Sequence, residues 1–255
     1  MKQIKLIIQY DGTGYSGWQV QRNDNTIQGS LEDALFTVTG EELRVTGASR
    51  TDAGVHAFEQ VASFTTNTDL DPRIFPQALN AHLSRDIRVL HAEECPAPFH
   101  PRYSAQNKTY SYLISRYGNC SVFLKRYSWQ MPYQLHCDAM RDAAHYLIGK
   151  YDFSSFRASG CSAKNPVREV IKIELSERDA IDFISFTVNA PVIKISIQAN
   201  AFLRHMARNI VGTLVDTGRG RNTPDRIKGI LEARDRRRAG KTAPACGLFL
   251  EKIQY

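Results

Sequence analysis

The sequence predicts an α+β fold made of two β-α-β-β-α-β halves, the ferredoxin-like (RRM-like) split βαβ plan with both helices on one face of an antiparallel sheet. Three observations predict it. Short segments of period-2 alternation are separated by segments with apolar residues at helical spacing; that order starts twice; and a proline-rich stretch, Pro96-Ala97-Pro98 through Pro101, lies between the copies. The expected halves are residues 1–100 and 101–255.

In the first half, Gln3 to Gln9 reads as a strand, and Ile27 to Val38 as a helix whose stripe is Leu31, Ala34, Leu35 and Val38. Glu42 to Thr46 and Gln60 to Thr65 alternate polar and apolar residues, as half-buried strands do. Pro72 to Leu83 reads as a second helix and Ile87 to Ala92 as the closing strand. The second half restarts with a strand at Lys108 to Ser115, followed by an insertion or loop over Tyr117 to Pro132 and an amphipathic helix at His136 to Ile148. Three strands are expected, near Val167 to Glu177, Ile181 to Val188 and Val192 to Ala199. A long helix over Ala201 to Thr217 follows, then a shorter one over Pro224 to Ala233 with its proline at an early helical position, and a last strand at Leu248 to Gln254.

Composition bounds the class. At 255 residues with 42% hydrophobic and 23% charged residues the chain has enough apolar material for one large or two small cores. Its start, Met1-Lys2-Gln3-Ile4-Lys5, enters a strand at once without a secretion signal, and no apolar run approaches the roughly 20 residues of a membrane span, so a soluble, cytoplasmic protein is expected. Five cysteines, an odd number with no C-x-x-C pair, argue for reduced thiols. The formal charge is +7, and the segment from Ala201 to Lys241 holds eleven Arg or Lys against four acids, which equals the whole excess. A basic surface of this kind neutralises phosphates, although a solvated helix face carries arginines too. Arg236-Arg237-Arg238 also resembles a short localisation tract.

The chemistry points to Ser49-Arg50-Thr51-Asp52-Ala53-Gly54-Val55-His56-Ala57, an acid displayed on a tight turn between two strand-like segments. Gly54 permits a positive φ, so the chain reverses and leaves the Asp52 carboxylate outward, with a cation, Arg50, and an imidazole, His56, on either side. A carboxylate in that setting stays ionised, as a nucleophile or base must; an ordinary Asx turn gives the same pattern. His56 and His205 have no second ligand at i+3 or i+4 and no cysteine pair, so no metal site is expected.

The run R-T-D-A-G-V-H-A resembles the signature of the TruA-type tRNA pseudouridine synthases. Three further stretches are similar to that family's motifs and follow in its order: Lys108-Thr109-Tyr110-Ser111-Tyr112, Phe202 to Gly212, and Arg238 to Leu248. Ser49 stands where glycine is common, and Cys246 occupies a variable position. The resemblance implies that the two half-sheets join into one long, mainly antiparallel sheet with helices on one face and a catalytic cleft on the other. It implies isomerisation of uridine to pseudouridine at positions 38, 39 and 40 of the tRNA anticodon stem and loop. Asp52 would be the catalytic carboxylate, with the Arg208 guanidinium beside it, and Tyr110 would stack on the target base. Substrate contacts would come from Lys108, on the same strand face as Tyr110, and from Arg204 on the RNA backbone. Arg50 is the candidate for filling the gap the flipped base leaves. Leu248 would pack near the site or in the core. The implied partner is tRNA rather than DNA, bound by a homodimer, and no cofactor is required.

Two other classes compete. A non-catalytic RRM-like module would bind single-stranded RNA on aromatic strands, yet no K/R-G-F-G-F-V run is present. A glycosidase would want a second carboxylate across the scissile bond, and none is marked near Asp52 beyond Glu59.

Overall fold

The computed structural model describes residues 1–116, 121–183 and 186–255. In chain order the first elements are β1 (Lys2–Tyr10), α1 (Ile27–Thr39), β2 (Thr46–Gly47), β3 (His56–Thr66), α2 (Phe75–His82) and β4 (Ile87–Glu94). Then come β5 (Asn107–Arg116), β6 (Trp129–Met131), α3 (Cys137–His145), β7 (Gly149–Asp152), β8 (Val167–Phe183) and β9 (Phe186–Ala199). The chain closes with α4 (Met206–Gly218), α5 (Arg226–Ala233) and β10 (Leu248–Gln254). This is an α+β protein whose strands pair mostly antiparallel, and it divides into two compact units, Met1–Lys108 with Phe249–Tyr255, and Thr109–Leu248.

In the first unit the strands lie in the order β4-β1-β3-β10, with β2 on β3. The pairs β1/β3, β1/β4 and β2/β3 are antiparallel, and β10 runs parallel to β3 with Phe249 opposite His56. Ile4, Leu6 and Ile8 alternate into the core and are fully buried, as the period of a strand requires. Thr26 caps α1 by accepting from Gly29 N–H, and Gly40 ends it in the left-handed region at φ 72°. The helix buries Ile27, Leu31 and Leu35, and Phe75 of α2 packs edge-on against Phe64 of β3 at 5.4 Å.

One expected strand shrinks here. Of Glu42 to Thr46 only Thr46 enters β2. Val45 is held instead by side chains of α1, its N–H donating to Glu32 Oε1 and its carbonyl accepting from Gln28 Nε2, so no strand partner is needed. In the opposite direction, β3 begins four residues earlier than expected, at His56.

In the second unit the order is β5-β9-β8-β7, with β6 parallel along β5. Of the expected loop over Tyr117 to Pro132, residues 117–120 lie outside the described residues, and the rest holds a short 3-10 turn at Val122–Leu124 and β6. The three strands expected from Val167 to Ala199 are two, a single long antiparallel hairpin of β8 and β9. The sequence breaks at Asn189-Ala190-Pro191, but β9 runs through it. Ala180 faces Asn189 and Arg178 faces Val192, a bulge that leaves Pro191, which has no N–H to give, outside the paired register.

Helix α4 supplies the core of this unit with Met206, Ile210, Val211 and Leu214, all fully buried. It starts five residues later than expected, because His205 takes a left-handed φ of 60° and breaks the run from Ala201. Arg204 is therefore not on the helix, and it does not share a helical face with Arg208. Pro224 likewise falls before α5, which opens at Arg226 after Asp225.

Candidate active site and basic segment

The Asp52 turn in the first unit is built by main-chain closure and then held by its neighbours. Val55 N–H donates to the Asp52 carbonyl at 3.1 Å, and Gly54 has φ 75°, the conformation that lets the chain reverse within three residues. Trp18 N–H donates to the Thr51 carbonyl at 3.0 Å, and Gly54 N–H to the Tyr15 carbonyl at 3.3 Å. Tyr10 Oη and Thr51 Oγ1 share a hydrogen bond of 2.8 Å. Asp52 itself is partly exposed, while Thr51 and Val55 on either side are buried. The turn thus fixes the main chain and leaves the carboxylate accessible.

The segment pressed on this turn follows β1 and reads Gly12-Thr13-Gly14-Tyr15-Ser16-Gly17-Trp18. Gly17 sits at φ 97°, and a Cβ there would meet the Thr51 carbonyl oxygen at 2.7 Å; one on Gly12 would meet the Val55 oxygen at 2.0 Å. Only glycine allows the two backbones to come this close. The three glycines have the G-x-G-x-x-G spacing of a dinucleotide loop, but α1 starts ten residues later, and here Gly12 and Gly17 serve contact with the Asp52 turn while a Cβ on Gly14 would meet nothing. This segment escaped the sequence reading, although its glycine density was the available signal.

The two groups expected to flank Asp52 behave differently. Arg50 is exposed and forms no hydrogen bond or ion pair among the described residues. His56 turns inward. It is 2% exposed, stacks on Phe249 at 4.7 Å, and its Nδ1 lies 3.2 Å from Gly12 N and 3.0 Å from Asp11 Oδ1. Lys108, in the same unit, is buried and donates from Nζ to the Ala48 carbonyl. Burial first, and then the charge of Arg102, push its ammonium down to about 8.

The remaining site candidates lie in the second unit. Tyr110 is 5% exposed and packs edge-on to Phe202 at 4.8 Å. Tyr112, on the same strand face, is fully buried and donates to the Pro244 carbonyl at 2.9 Å, and burial raises its phenol well above the usual range. Arg208, partly exposed on α4, donates from Nε to the Ala243 carbonyl at 2.8 Å, while Ala243 N–H donates back to the Arg208 carbonyl. That reciprocal pair requires Gly212 on the next turn, where a Cβ would lie 1.7 Å from the Lys241 carbonyl oxygen. The motif on α4 and the motif at Arg238 to Leu248 are thereby clamped together. Leu248 is buried at 5% exposure, on the core side of its two readings.

The basic segment divides. Arg236 is partly buried and its guanidinium is bonded inward: Nη2 donates to Asn209 Oδ1 at 2.9 Å and to Thr242 Oγ1 at 3.0 Å, and Nη1 to the Ala239 carbonyl. Partial burial lowers its pKa. Arg221 pairs with Asp216, Arg234 with Asp152 and Arg237 with Asp235, while Arg219 lies 4.0 Å over the Tyr133 ring. Arg204 is exposed and lines an open groove with Arg157, His205, Arg234, Arg236 and Arg237. The reading of Arg236-Arg237-Arg238 as one tract of surface cations is corrected for Arg236, which the fold uses.

Among the described residues no three His, Cys, Asp or Glu side chains converge as metal ligands, no helix is long and apolar enough to cross a membrane, and no two of the four described cysteines are joined in a disulfide. Comparison with known proteins gives a family. The family profile described as tRNA pseudouridine synthase matches residues 6–104 and 143–255. Over the whole of both chains, the sequence is 45% identical to a tRNA pseudouridine synthase A of Caldicellulosiruptor bescii, 44% to one of Thermoanaerobacter sp. strain X514 and 43% to one of Acetivibrio thermocellus.

Proposed function

The chain belongs to the tRNA pseudouridine synthase family and isomerises uridine to pseudouridine in tRNA, and on that premise we propose that Asp52 is its catalytic carboxylate and that its targets are positions 38, 39 and 40 of the anticodon stem and loop. The observation that carries the assignment is the Asp52 turn: an accessible acid on a main chain held by Tyr10, Tyr15 and Trp18 and closely approached by the backbone at Gly12 and Gly17.

The isomerisation breaks the bond from N1 of uracil to C1′ of the ribose, turns the base, and forms a C5–C1′ bond. C5 loses a proton and N1 gains one. Electrons balance within the substrate, so no redox group is called for. A carboxylate supports this either as nucleophile toward the sugar or base, or as base toward the sugar 2′-hydrogen. The base must leave its stack, at a cost of a few kcal/mol, and Arg50, exposed beside Asp52 in sequence, is the side chain proposed to fill the gap. Tyr110 is proposed as the stacking platform, worth about 1–3 kcal/mol. Arg208 is proposed to lie beside Asp52 and aim it, with Arg204 and Lys108 as further substrate contacts.

In the same reading the halves 1–100 and 101–255 are each ferredoxin-like and share one sheet, with the cleft on the face away from the helices. The first unit's antiparallel order β4-β1-β3-β2 supports this for that half. A tRNA is longer than one such cleft, which favours a homodimer that contacts it from both subunits, acting in the cytoplasm where tRNA is matured.

The test uses tRNA tritiated at uracil C5, prepared with uridine in the anticodon arm only at 38, 39 or 40. Tritium release from these substrates is expected, since C5 gives up its hydrogen as the new bond forms. Release only from uridines elsewhere in the tRNA would overturn the site assignment.

A further inference from the structure

Gln60 is a fully buried amide in the middle of β3, opposite Ile8 of β1. What it does is visible in its partners. The β2/β3 ladder pairs Gly47 with Ala62, and one more main-chain bond, Ala48 N–H to the Val61 carbonyl at 2.8 Å, carries it past the end of β2. Beyond that point the chain leaves the sheet toward Asp52, and Gln60 takes over with its side chain. Its Oε1 accepts from Ser49 N–H at 3.2 Å, and its Nε2 donates to the Ser49 carbonyl at 2.7 Å. The amide thus acts as a substitute peptide, bonding both main-chain groups of Ser49 as a neighbouring strand would. The second Nε2 hydrogen goes to Tyr10 Oη at 3.3 Å, and that oxygen is the one bonded to Thr51 Oγ1 at 2.8 Å. Gln60, Tyr10 and Thr51 are 0%, 3% and 6% exposed, so water does not compete for these bonds.

We propose that Gln60 is a positioning residue for the pseudouridine synthase reaction: through Ser49 directly, and through the Tyr10 hydroxyl on Thr51, its amide sets where the turn presents Asp52. The proposal rests on Asp52 being the catalytic carboxylate. All the groups involved belong to β1, β3 and the turn, and none touches the tRNA in this scheme. Their loss therefore shows in the chemical step rather than in binding, because a displacement of about 1 Å at a reacting group costs on the order of a hundredfold in rate.

The experiment measures single-turnover tritium release and tRNA Kd for wild type, Gln60→Met, Tyr10→Phe and Asp52→Asn, at a temperature where each is folded by circular dichroism. Gln60→Met keeps the volume and removes both bonds to Ser49; its rate on bound tRNA is expected to fall about 10- to 100-fold with Kd within about twofold of wild type. Tyr10→Phe keeps the ring and removes only the hydroxyl link to Thr51; a smaller fall of about 3- to 10-fold is expected, again without a change in Kd. A wild-type rate in Gln60→Met, or a rate loss matched by an equal loss of binding, overturns the proposal. Should Gln60→Met fail to fold, Tyr10→Phe decides by the same criteria. Silent Asp52→Asn beside fully active Gln60→Met would reject positioning by Gln60 alone, whereas turnover by Asp52→Asn would reject the underlying assignment.

Discussion

The Asp52 turn and the basic segment from Ala201 to Lys241 are both places where polar groups matter, but they are organised by opposite means. Neutral groups hold the main chain of the turn: main-chain N–H and C=O, the Gln60 amide, and the Tyr10 and Thr51 hydroxyls, with glycines admitting a second backbone against it. The one charge at its apex is left accessible. In the basic segment the charges themselves make much of the structure. Arg236 ties Asn209 to Thr242, Arg234 reaches Asp152, and Arg221 pairs with Asp216. The charge proposed as catalytic is thus supported by neutral hydrogen bonds, whereas a charge-rich segment is partly consumed by its own fold, and its formal excess overstates what is free for phosphate.

The largest effect expected from this contrast is at Gly17. Alanine there faces both an unfavourable φ of 97° and the Thr51 carbonyl, so Gly17→Ala should destabilise the protein by roughly 2–3 kcal/mol and slow the reaction together with it. Denaturant melts and single-turnover rates check this. A neutral Gly17→Ala would mean that the turn is soft.

Next comes a split within one arginine tract. Arg236→Gln should cost about 1–3 kcal/mol, because it strips donors from Asn209 and Thr242 inside the fold. Arg237 and Arg238, both exposed, should be replaceable by Gln within about 0.5 kcal/mol, since the Arg237–Asp235 pair is a surface one. The double variant should instead flatten the plot of log Kd for tRNA against log salt by up to about two phosphate contacts' worth. Equal stability losses at all three, or an unchanged salt slope, would erase the division of the segment into fold-holding and RNA-facing charges.

The last effect concerns Lys108 and shows only as a dependence on pH. With its folded pKa near 8, against 10.5 for an ordinary lysine, it binds fewer protons folded than unfolded between those values. Its contribution to stability therefore rises with pH across that window and is absent as a pH effect below about 8, by up to about 3 kcal/mol. Lys108→Met should remove that rise, which urea melts at pH 8 and pH 10 would show.

The location of the acid was legible because a tight turn needs local residues, and Thr51-Asp52-Ala53-Gly54 contains them. What holds the turn was not, since Gln60, Tyr10 and Gly17 come from other segments and owe their roles to tertiary contact; only the glycine spacing at 12, 14 and 17 was a visible trace. The order of elements from β1 to β4 followed from periodicity, with α1 running one residue past its expected end at Val38. The failures have physical causes of the same kind. A left-handed His205 carries no sequence mark, so the start of α4 was set too early and Arg204 was put on the wrong element. Pro191 looked like a strand break because a bulge that tolerates it depends on the partner strand. Counting arginines could not reveal that Arg236 is bonded inward.

The most direct test of the central claim is Asp52→Asn, which keeps the size of the side chain and the turn while removing the charge. Single-turnover tritium release from tRNA labelled at uracil C5, measured beside tRNA Kd, should show no turnover above background with binding within a few-fold of wild type. Measurable turnover by Asp52→Asn, free of contaminating wild-type enzyme, would contradict the account.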